Sequence, residues 1–329
     1  MQVTKGDLVI EDGFPRGSRV RTIPRSETTI KMIIVPSRHG HVTLDVLQWV
    51  RDVGIALYVI RDSQVVLASN PEVYRYAAIR RAQCLAADSP TGTEVVRYLL
   101  RLKLRRQAET IRMLDADTAD WILEQIPSVG RRTIPGCRQL EGKCAQKYWA
   151  PWVDQPMSWK GPTKPRWTTF GPRRSDRSNC GRSAVSPFHA LINYAYAVLE
   201  AEGTRACHVL GLDPLLGLSH RDTDKRPSMV LDLVEPIRPM VDAAVLDWVR
   251  CQTFTAKDFT ESETGVMRLS RTIHEEVAEL AMEVATEGYA AWEDVAAMIA
   301  ATATHKNAKK PRTPLTHRNQ ARTRLEPTR

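Results

Sequence analysis

The sequence predicts an α+β protein in which a small amino-terminal β-sheet domain precedes a larger all-α carboxy-terminal domain. Over the first 70 residues, short apolar and β-branched runs are separated by Gly, Pro and Asp, which is typical of strands. From residue 72 onward, apolar residues recur with the period of a helix instead. We therefore predict a β-rich domain over 1–70, a helical domain over 71–304 and a polar tail over 305–329.

The predicted elements of the first domain are five strands and one helix. The strands cover 7–13, 19–24, 30–37, 55–61 and 64–69, and the helix covers 43–54. A linker is predicted at Ser69-Asn70-Pro71, because proline disfavours a helical conformation in the residue before it.

The second domain contains several helical segments. The first three are predicted over 72–87, 93–114 and 117–126. A further amphipathic helix covers 138–152 with Glu141 at its head, and a longer one starts at an N-cap, Ser186, followed by Pro187, and is stopped by Gly203. A short helical segment is expected between Ser228 and Pro236.

Residues 153–183 have no helical or strand period and are rich in Pro, Gly, Ser, Trp and Arg. This composition predicts a long basic loop, and such loops are often functional. Its aromatic residues Trp159, Trp167 and Phe170 alternate with lysines and arginines, so they would either stack on nucleic acid or tether the loop to the helices. Both interpretations stay open.

Cysteine usage and hydropathy favour a cytoplasmic protein without a membrane span. The six cysteines form no C-x-x-C pair, which argues against a zinc ribbon and a redox dithiol. Scattered thiols suit a reducing compartment. No apolar run approaches the length of a membrane span, and the first residues lack the features of a secretory signal.

Positive charge is concentrated in two regions of a chain whose net charge is +9. Residues 305–329 carry eight Lys and Arg against one acid, and residues 131–182 carry twelve against three. The rest of the chain is therefore net acidic. This segregation favours binding of a polyanion such as nucleic acid.

A histidine and two carboxylates lie within sixteen residues of one another. His220 occupies a Gly-rich polar turn, and Asp232 and Glu235 follow on the short helix, three residues apart and so on one face. Imidazole and carboxylates without thiolates suit Mg²⁺ or Mn²⁺. A capped surface helix with solvated acids explains the same spacing, and the residues alone leave both readings open.

Four sequence blocks follow one another in the order found in one known family. The blocks are Glu141-Gly142 with Ala145, Tyr148 and Trp149; Ala190 to Tyr196; Gly211 to Pro214 with Gly217 and His220; and Leu231 to Glu235 with Arg238 and Pro239. They resemble those of the first CRISPR-associated protein family, the integrases of CRISPR spacer acquisition. His189 departs from the pattern, since the family usually has asparagine there.

The resemblance implies a divalent-metal-dependent DNA endonuclease and integrase. In that family, a 3′-hydroxyl of captured DNA attacks the repeat backbone by transesterification. The resemblance assigns Glu141, His220 and Glu235 as catalytic metal ligands for Mg²⁺ or Mn²⁺, with Asp232 as an auxiliary acid. It also makes 71–304 the catalytic domain and 1–70 a dimerisation domain.

The expected partners follow from the same resemblance: double-stranded DNA, a second copy of the chain, and a small ferredoxin-like adaptation protein that completes a heterohexamer. Basic residues close to the acids in sequence or motif are the DNA-binding candidates. They are Arg131, Arg132, Arg138, Lys143, Lys147 and Arg238. Two alternatives remain: a transposon-borne or solitary relative with the same chemistry, and a non-catalytic DNA-binding scaffold.

Overall fold

The computed structural model describes residues 1–12, 19–26, 29–36, 39–61, 64–69, 77–171, 184–220, 222–223, 226–263 and 265–302. The chain divides into two compact units, Met1–Val73 and Tyr74–Arg329. The predicted tail over 305–329 and residues 172–183 of the predicted loop lie outside the described residues.

The first unit contains two three-stranded sheets. One sheet is antiparallel and consists of β1 (Gln2–Thr4), β2 (Asp7–Asp12) and β3 (Arg19–Ile23) in that order. The other consists of β4 (Met32–Val35), β5 (Ala56–Arg61) and β6 (Gln64–Ser69). Strand β4 pairs in parallel with β5, so the chain crosses over between them through α1 (Leu44–Val53), whereas β5 and β6 pair antiparallel.

Helix α1 supplies much of the apolar core of this unit. Val46, Trp49 and Val50 are buried together with Leu8 of β2 and Leu57 of β5. The indole N–H of Trp49 donates a hydrogen bond of 2.8 Å to the carbonyl oxygen of Gly6, so the largest side chain of the core leaves no polar atom unpaired.

The second unit is mostly helical. Its helices are α2 (Ala77–Ala86), α3 (Pro90–Ile111), α4 (Ala116–Gln125), α5 (Ile134–Trp149), α6 (Pro187–Leu210), α7 (Ser228–Val234), α8 (Arg238–Cys251), α9 (Arg271–Thr286) and α10 (Tyr289–Ala300). A small antiparallel ribbon of β7 (Phe259–Glu261) and β8 (Met267–Leu269) interrupts them. The predicted α+β class is confirmed, with this ribbon as an addition to the helical part.

Local sequence signals fix the starts of the long helices. Ser89 caps α3 by accepting a hydrogen bond from the Gly92 N–H, and Pro90 occupies the first turn. The predicted pair Ser186 and Pro187 does the same for α6, where the Ser186 hydroxyl accepts from the His189 N–H at 3.3 Å.

The prediction that Gly203 stops α6 is wrong, because the helix continues to Leu210 and ends at Gly211 with a φ of 78°. Gly203 instead lies where α6 meets α7. A Cβ atom at Gly203 would lie 2.8 Å from Cγ1 of Val234 and 3.2 Å from Cγ1 of Val230. The glycine therefore permits close helix packing.

The placement of Glu141 at the head of its helix is also wrong. Helix α5 begins at Ile134, where Thr133 accepts a hydrogen bond from the Gly136 N–H, and Glu141 lies in its middle. The cap was missed because Pro135 and Gly136 resemble a loop, although proline is favoured in the first turn of a helix.

The described part of the basic loop, residues 153–171, is packed against the helices. Trp167 and Phe170 are buried, and the ring of Phe170 stacks on that of Trp149 with centroids 5.8 Å apart. The Trp159 indole N–H donates to the carbonyl oxygen of Trp167 at 3.2 Å. Of the two open interpretations, these contacts favour the tether.

Among the described residues, the cysteines at 84, 137, 144, 207 and 251 are free thiols. Within the described residues, none of the helices is long and apolar enough to span a membrane.

We predict that Gly203→Ala destabilises the protein despite the better helix propensity of alanine. Overpacking costs about 1–3 kcal/mol, which exceeds a propensity gain of at most about 1 kcal/mol. Gly142→Ala is the matched control, since Gly142 is also helical and its added Cβ would meet nothing within 4 Å. Thermal unfolding should give a lower midpoint for the first variant only, and equal midpoints would contradict the packing argument.

Candidate active site

A cleft in the helical unit brings together all four of the predicted acidic and histidine residues. Val96, Leu99 and Leu100 of α3 form an apolar wall. The polar residues that line the cleft are Lys103, Cys137, Glu141, Ser219, His220, Asp232 and Glu235. The sequence-predicted set therefore converges, although Glu141 and Glu235 are separated by 94 positions.

Lys103 joins the two glutamates directly. Its Nζ atom lies 2.5 Å from Oε1 of Glu141 and 2.5 Å from Oε2 of Glu235. The side chains are 10%, 28% and 16% exposed for Lys103, Glu141 and Glu235, so all three ionic groups are partly shielded from water. Each carboxylate therefore points at one shared position, and a cation lies there.

The ionisation of Glu235 reflects this crowding of charge. Burial opposes ionisation, but Arg238 and Lys103 overcome it and lower the pKa of Glu235 to about 2. Burial also favours the neutral amine of Lys103, yet Glu235 and Glu141 raise the pKa of that amine above its usual value. Glu235 and Lys103 are therefore both ionised at neutral pH.

Arg238 binds Glu235 from the other side. One guanidinium nitrogen, Nη1, donates to Oε1 of Glu235, and Nη2 donates to Oε1 of Glu200 at 2.9 Å. The guanidinium also lies over the ring of Tyr196, 4.8 Å from its centroid. The charge of Arg238 is therefore paired with two carboxylates of the protein, and these contacts fix the orientation of Glu235.

Asp232 organises the turn that carries His220. Its side chain is fully buried, and its carboxylate accepts hydrogen bonds from the N–H groups of Leu218, Ser219 and His220 at 2.6, 2.9 and 3.0 Å. Gly217 permits this tight turn, because an added Cβ would lie 2.7 Å from the His220 carbonyl oxygen.

The same carboxylate orients the imidazole. Oδ1 of Asp232 lies 2.6 Å from Nδ1 of His220. When Nδ1–H donates to the carboxylate, Nε2 carries a free lone pair, which is the arrangement that usually prepares a histidine to bind a metal. This contact gives the predicted auxiliary acid a position behind the histidine.

Two motif tyrosines meet at a third buried acid. The hydroxyls of Tyr148 and Tyr196 donate to Asp242 at 2.8 and 2.5 Å. Burial, and then the Asp242 carboxylate, raise the pKa of the Tyr148 phenol well above its usual value. Arg238 contacts both Tyr196 and Glu235, so this buried network extends to Glu235 and stabilises its position.

The donor set fits a divalent cation. Carboxylate oxygens and an imidazole nitrogen are ligands for Mg²⁺ and Mn²⁺, and the ammonium of Lys103 shows that a positive charge fits between the carboxylates. Within the parts of the chain that the structure describes, no three His, Cys, Asp or Glu side chains are already arranged to hold one metal ion. Metal binding therefore requires side chains to rearrange around Lys103.

The DNA-binding candidates lie in different settings. Arg131, Lys143 and Lys147 are exposed, and Lys147 lies over the Trp121 ring at 4.7 Å. Arg132 and Arg138 are half-buried, and Nε of Arg132 donates to Ser128 Oγ at 3.2 Å.

Sequence reasoning missed Lys103. The available signal was its place in the buried face of α3, where Val96, Leu99 and Leu100 precede it at helical spacing. A lysine in an apolar stripe needs a partner, because an unpaired buried charge is costly. Its partners lie 38 and 132 positions away, beyond the reach of local patterns.

Fold and site together define a two-unit α+β protein with a carboxylate–imidazole cleft in its helical unit. The family model of CRISPR associated protein Cas1 matches residues 1–282, and the chain belongs to this family. The predicted resemblance is thereby confirmed.

Two curated relatives illustrate the sequence similarity. The chain is 28% identical over 211 residues to CRISPR-associated endonuclease Cas1 2 of Rhodospirillum rubrum, covering 58% of this chain and 57% of that protein. It is 28% identical over 209 residues to CRISPR-associated endonuclease Cas1 1 of Pyrobaculum aerophilum, covering 59% and 62%. The matches thus span little more than half of each relative.

Solved structures share the fold over nearly the whole chain. A casposase bound to integration product superposes with a TM-score of 0.74 at 19% identity, covering 98% of this chain and 95% of that one. A Cas1 protein from Thermotoga maritima gives 0.72 at 14% identity, covering 94% and 96%. A Cas6-RT-Cas1–Cas2 complex gives 0.68 at 14% identity, covering 95% and 36%.

We predict that Asp232→Asn loosens the turn at 217–220. The amide group replaces one accepting oxygen with a donor that faces backbone N–H groups, and each buried donor left unpaired costs about 1–3 kcal/mol. Amide hydrogen exchange should accelerate in peptides that cover the turn.

The control is Asp213→Asn, because Asp213 Oδ1 accepts one bond, from the Leu215 N–H at 2.9 Å, on an exposed loop. Unchanged exchange at 217–220 in Asp232→Asn would show that the carboxylate does not organise the turn.

Proposed function

We propose that this chain is a divalent-metal-dependent DNA endonuclease and integrase of CRISPR adaptation. It joins 3′-hydroxyl ends of captured DNA to a repeat backbone by transesterification. The observation that carries the proposal is the convergence of Glu141, His220 and Glu235 on one cleft in a chain of the Cas1 family. Integrase chemistry also agrees with the integration product bound by the similarly folded casposase.

Glu141, His220 and Glu235 would hold Mg²⁺ or Mn²⁺ at the junction of the two carboxylates. A bound divalent cation supplies charge stabilisation for the non-bridging phosphate oxygens and polarises the attacking hydroxyl. Asp232 would act as the auxiliary acid by keeping the Nδ1 proton of His220, so that Nε2 stays available as a ligand.

The remaining residues of the site position the reactants. Arg238 would keep Glu235 in position, and the apolar wall on α3 lines the cleft beside the proposed ligands. Exposed Arg131, Lys143 and Lys147, with half-buried Arg132 and Arg138, would contact the DNA backbone. In this proposal Arg238 acts on DNA only through Glu235, because its guanidinium is already paired with two carboxylates.

We further propose that double-stranded DNA is handled by a homodimer, which joins a small ferredoxin-like adaptation protein in a heterohexamer. Large apolar side chains are exposed more densely in the first unit than in the second. Among the described residues, those in the first unit are Val20, Val42, Leu44, Leu47, Val66 and Leu67. Exposed apolar patches commonly mark interfaces. The fold shared with the Cas6-RT-Cas1–Cas2 complex agrees with such an assembly.

We predict that Glu141→Ala, His220→Ala and Glu235→Ala each reduce strand transfer by at least about 100-fold, the scale of losing one group that stabilises transition-state charge. Joining of a labelled duplex to a repeat-containing plasmid with Mn²⁺ measures this. Glu124→Ala, which removes an exposed acid from α4, is the control and should keep parental activity.

Parental joining by any of the three variants would refute the ligand assignment. No joining by the parent chain itself, with DNA binding intact, would favour the non-catalytic DNA-binding scaffold.

We predict that replacing both Val20 and Val66 by Glu converts a dimer to a monomer. Val20 is 61% exposed on β3 and Val66 is 56% exposed on β6, and each lies on a strand at the edge of its sheet. Charge on an edge strand opposes pairing with a second chain. Sedimentation of the full chain measures the change, with Leu85→Glu on α2 as the control. A monomeric parent would contradict the dimer itself.

A further inference from the structure

The ammonium of Lys103 occupies the position at which the two glutamates converge. Its distances of 2.5 Å to Glu141 Oε1 and Glu235 Oε2 leave no space between these oxygens for a second cation. A divalent cation held by Glu141 and Glu235 would need nearly the same place, since carboxylate oxygens bind Mg²⁺ at about 2.1 Å. Lys103 and the metal exclude one another sterically and by charge.

We propose that Lys103 is a built-in counter-ion of the metal-free site and that metal binding is an exchange of cations, in which the ammonium leaves the carboxylates as the divalent ion enters. This inference rests on the proposed function, since it concerns the same metal site. Lys103 acts here as a positioning residue.

The geometry of the lysine suits such an exchange. Its charge is carried on a flexible four-carbon stem, which can swing while its helix stays in place. The stem starts from α3 beside the apolar wall of Leu99 and Leu100, and the ammonium at its end is held by the two carboxylates. The second carboxylate oxygen of Glu235, Oε1, accepts a hydrogen bond from Arg238. This contact would hold the Glu235 side chain in place when the ammonium leaves.

Two roles for Lys103 predict opposite effects of removing its charge. A competing counter-ion lowers metal affinity, so a neutral residue should bind the metal more tightly and leave the metal-free protein less stable. A lysine that only assembles the ligands raises metal affinity, so its loss should weaken binding. A charge within about 4–6 Å changes proton binding to a carboxylate by roughly 10- to 1000-fold, which sets the scale for the metal.

The test is Mn²⁺ binding to the purified full chain, followed by the electron paramagnetic resonance signal of free Mn²⁺. Lys103→Met should lower the Kd by about tenfold or more. Lys103→Arg keeps the charge and should stay within about threefold of the parent. Arg105→Met removes the same charge from an exposed position of the same helix and should leave the Kd unchanged.

A Kd for Lys103→Met that is unchanged or higher would overturn the exchange. Failure of the proposed function gives a different result. In that case either the parent does not bind Mn²⁺, or Glu141→Ala and Glu235→Ala bind it as well as the parent does.

Thermal unfolding gives a second readout that needs no activity. Without metal, Lys103→Met should melt below the parent, because two carboxylates then face each other unneutralised, and saturating Mn²⁺ should raise its midpoint more than that of the parent. Lys103→Gln is tested beside it. Folding of these variants only with Mn²⁺ supports the exchange, whereas failure of both to fold even with Mn²⁺ overturns it.

Discussion

Placing two glutamates at one buried point is the constraint on which the rest of the site depends. Glu141 from α5 and Glu235 from the end of α7 would repel each other without a cation, and the cost would grow as water is excluded. Lys103 from α3 supplies that cation, so one ammonium holds three segments of the helical unit in register. The packing of α3 against α5 and against the end of α7 is therefore stabilised by ion pairs as well as by apolar contacts.

The acidic residues of the site differ in the groups that they contact. Glu141 and Glu235 face a side-chain cation, whereas Asp232 faces backbone N–H groups of the turn. Three hydrogen bonds hold the Asp232 carboxylate in the turn. The same carboxylate also contacts the imidazole of His220. The i, i+3 spacing of Asp232 and Glu235 puts both side chains in one cleft, yet Asp232 binds the turn and Glu235 binds Lys103 and Arg238.

Local patterns predicted most of the fold and the set of His220, Asp232 and Glu235, whereas Glu141 was proposed as a ligand through the family resemblance. Alternation and helical period located the strands of the first unit except β1, and the helices α2 to α6, and Ser186 with Pro187 marked the start of α6. The errors at Gly203 and Glu141 have different causes. Val230 and Val234, distant in sequence, approach Gly203, whereas the start of α5 was marked by the overlooked local cap of Thr133 and Pro135. The Lys103 ion pairs depend on long-range contacts, as the packing at Gly203 does, and so does the meeting of Tyr148 and Tyr196 at Asp242.

A chain of buried contacts behind the two glutamates connects the helices that carry them. Glu235 is fixed by Arg238, which stacks on Tyr196, whose hydroxyl reaches Asp242, which in turn binds Tyr148 on the helix of Glu141. This path joins the two glutamates a second time, through the core instead of through Lys103. Departure of the ammonium therefore leaves α5, α6, α7 and α8 connected by buried hydrogen bonds. In the proposed exchange of cations such a frame would keep the two glutamates in place, because the exchange would remove the ion pairs through Lys103.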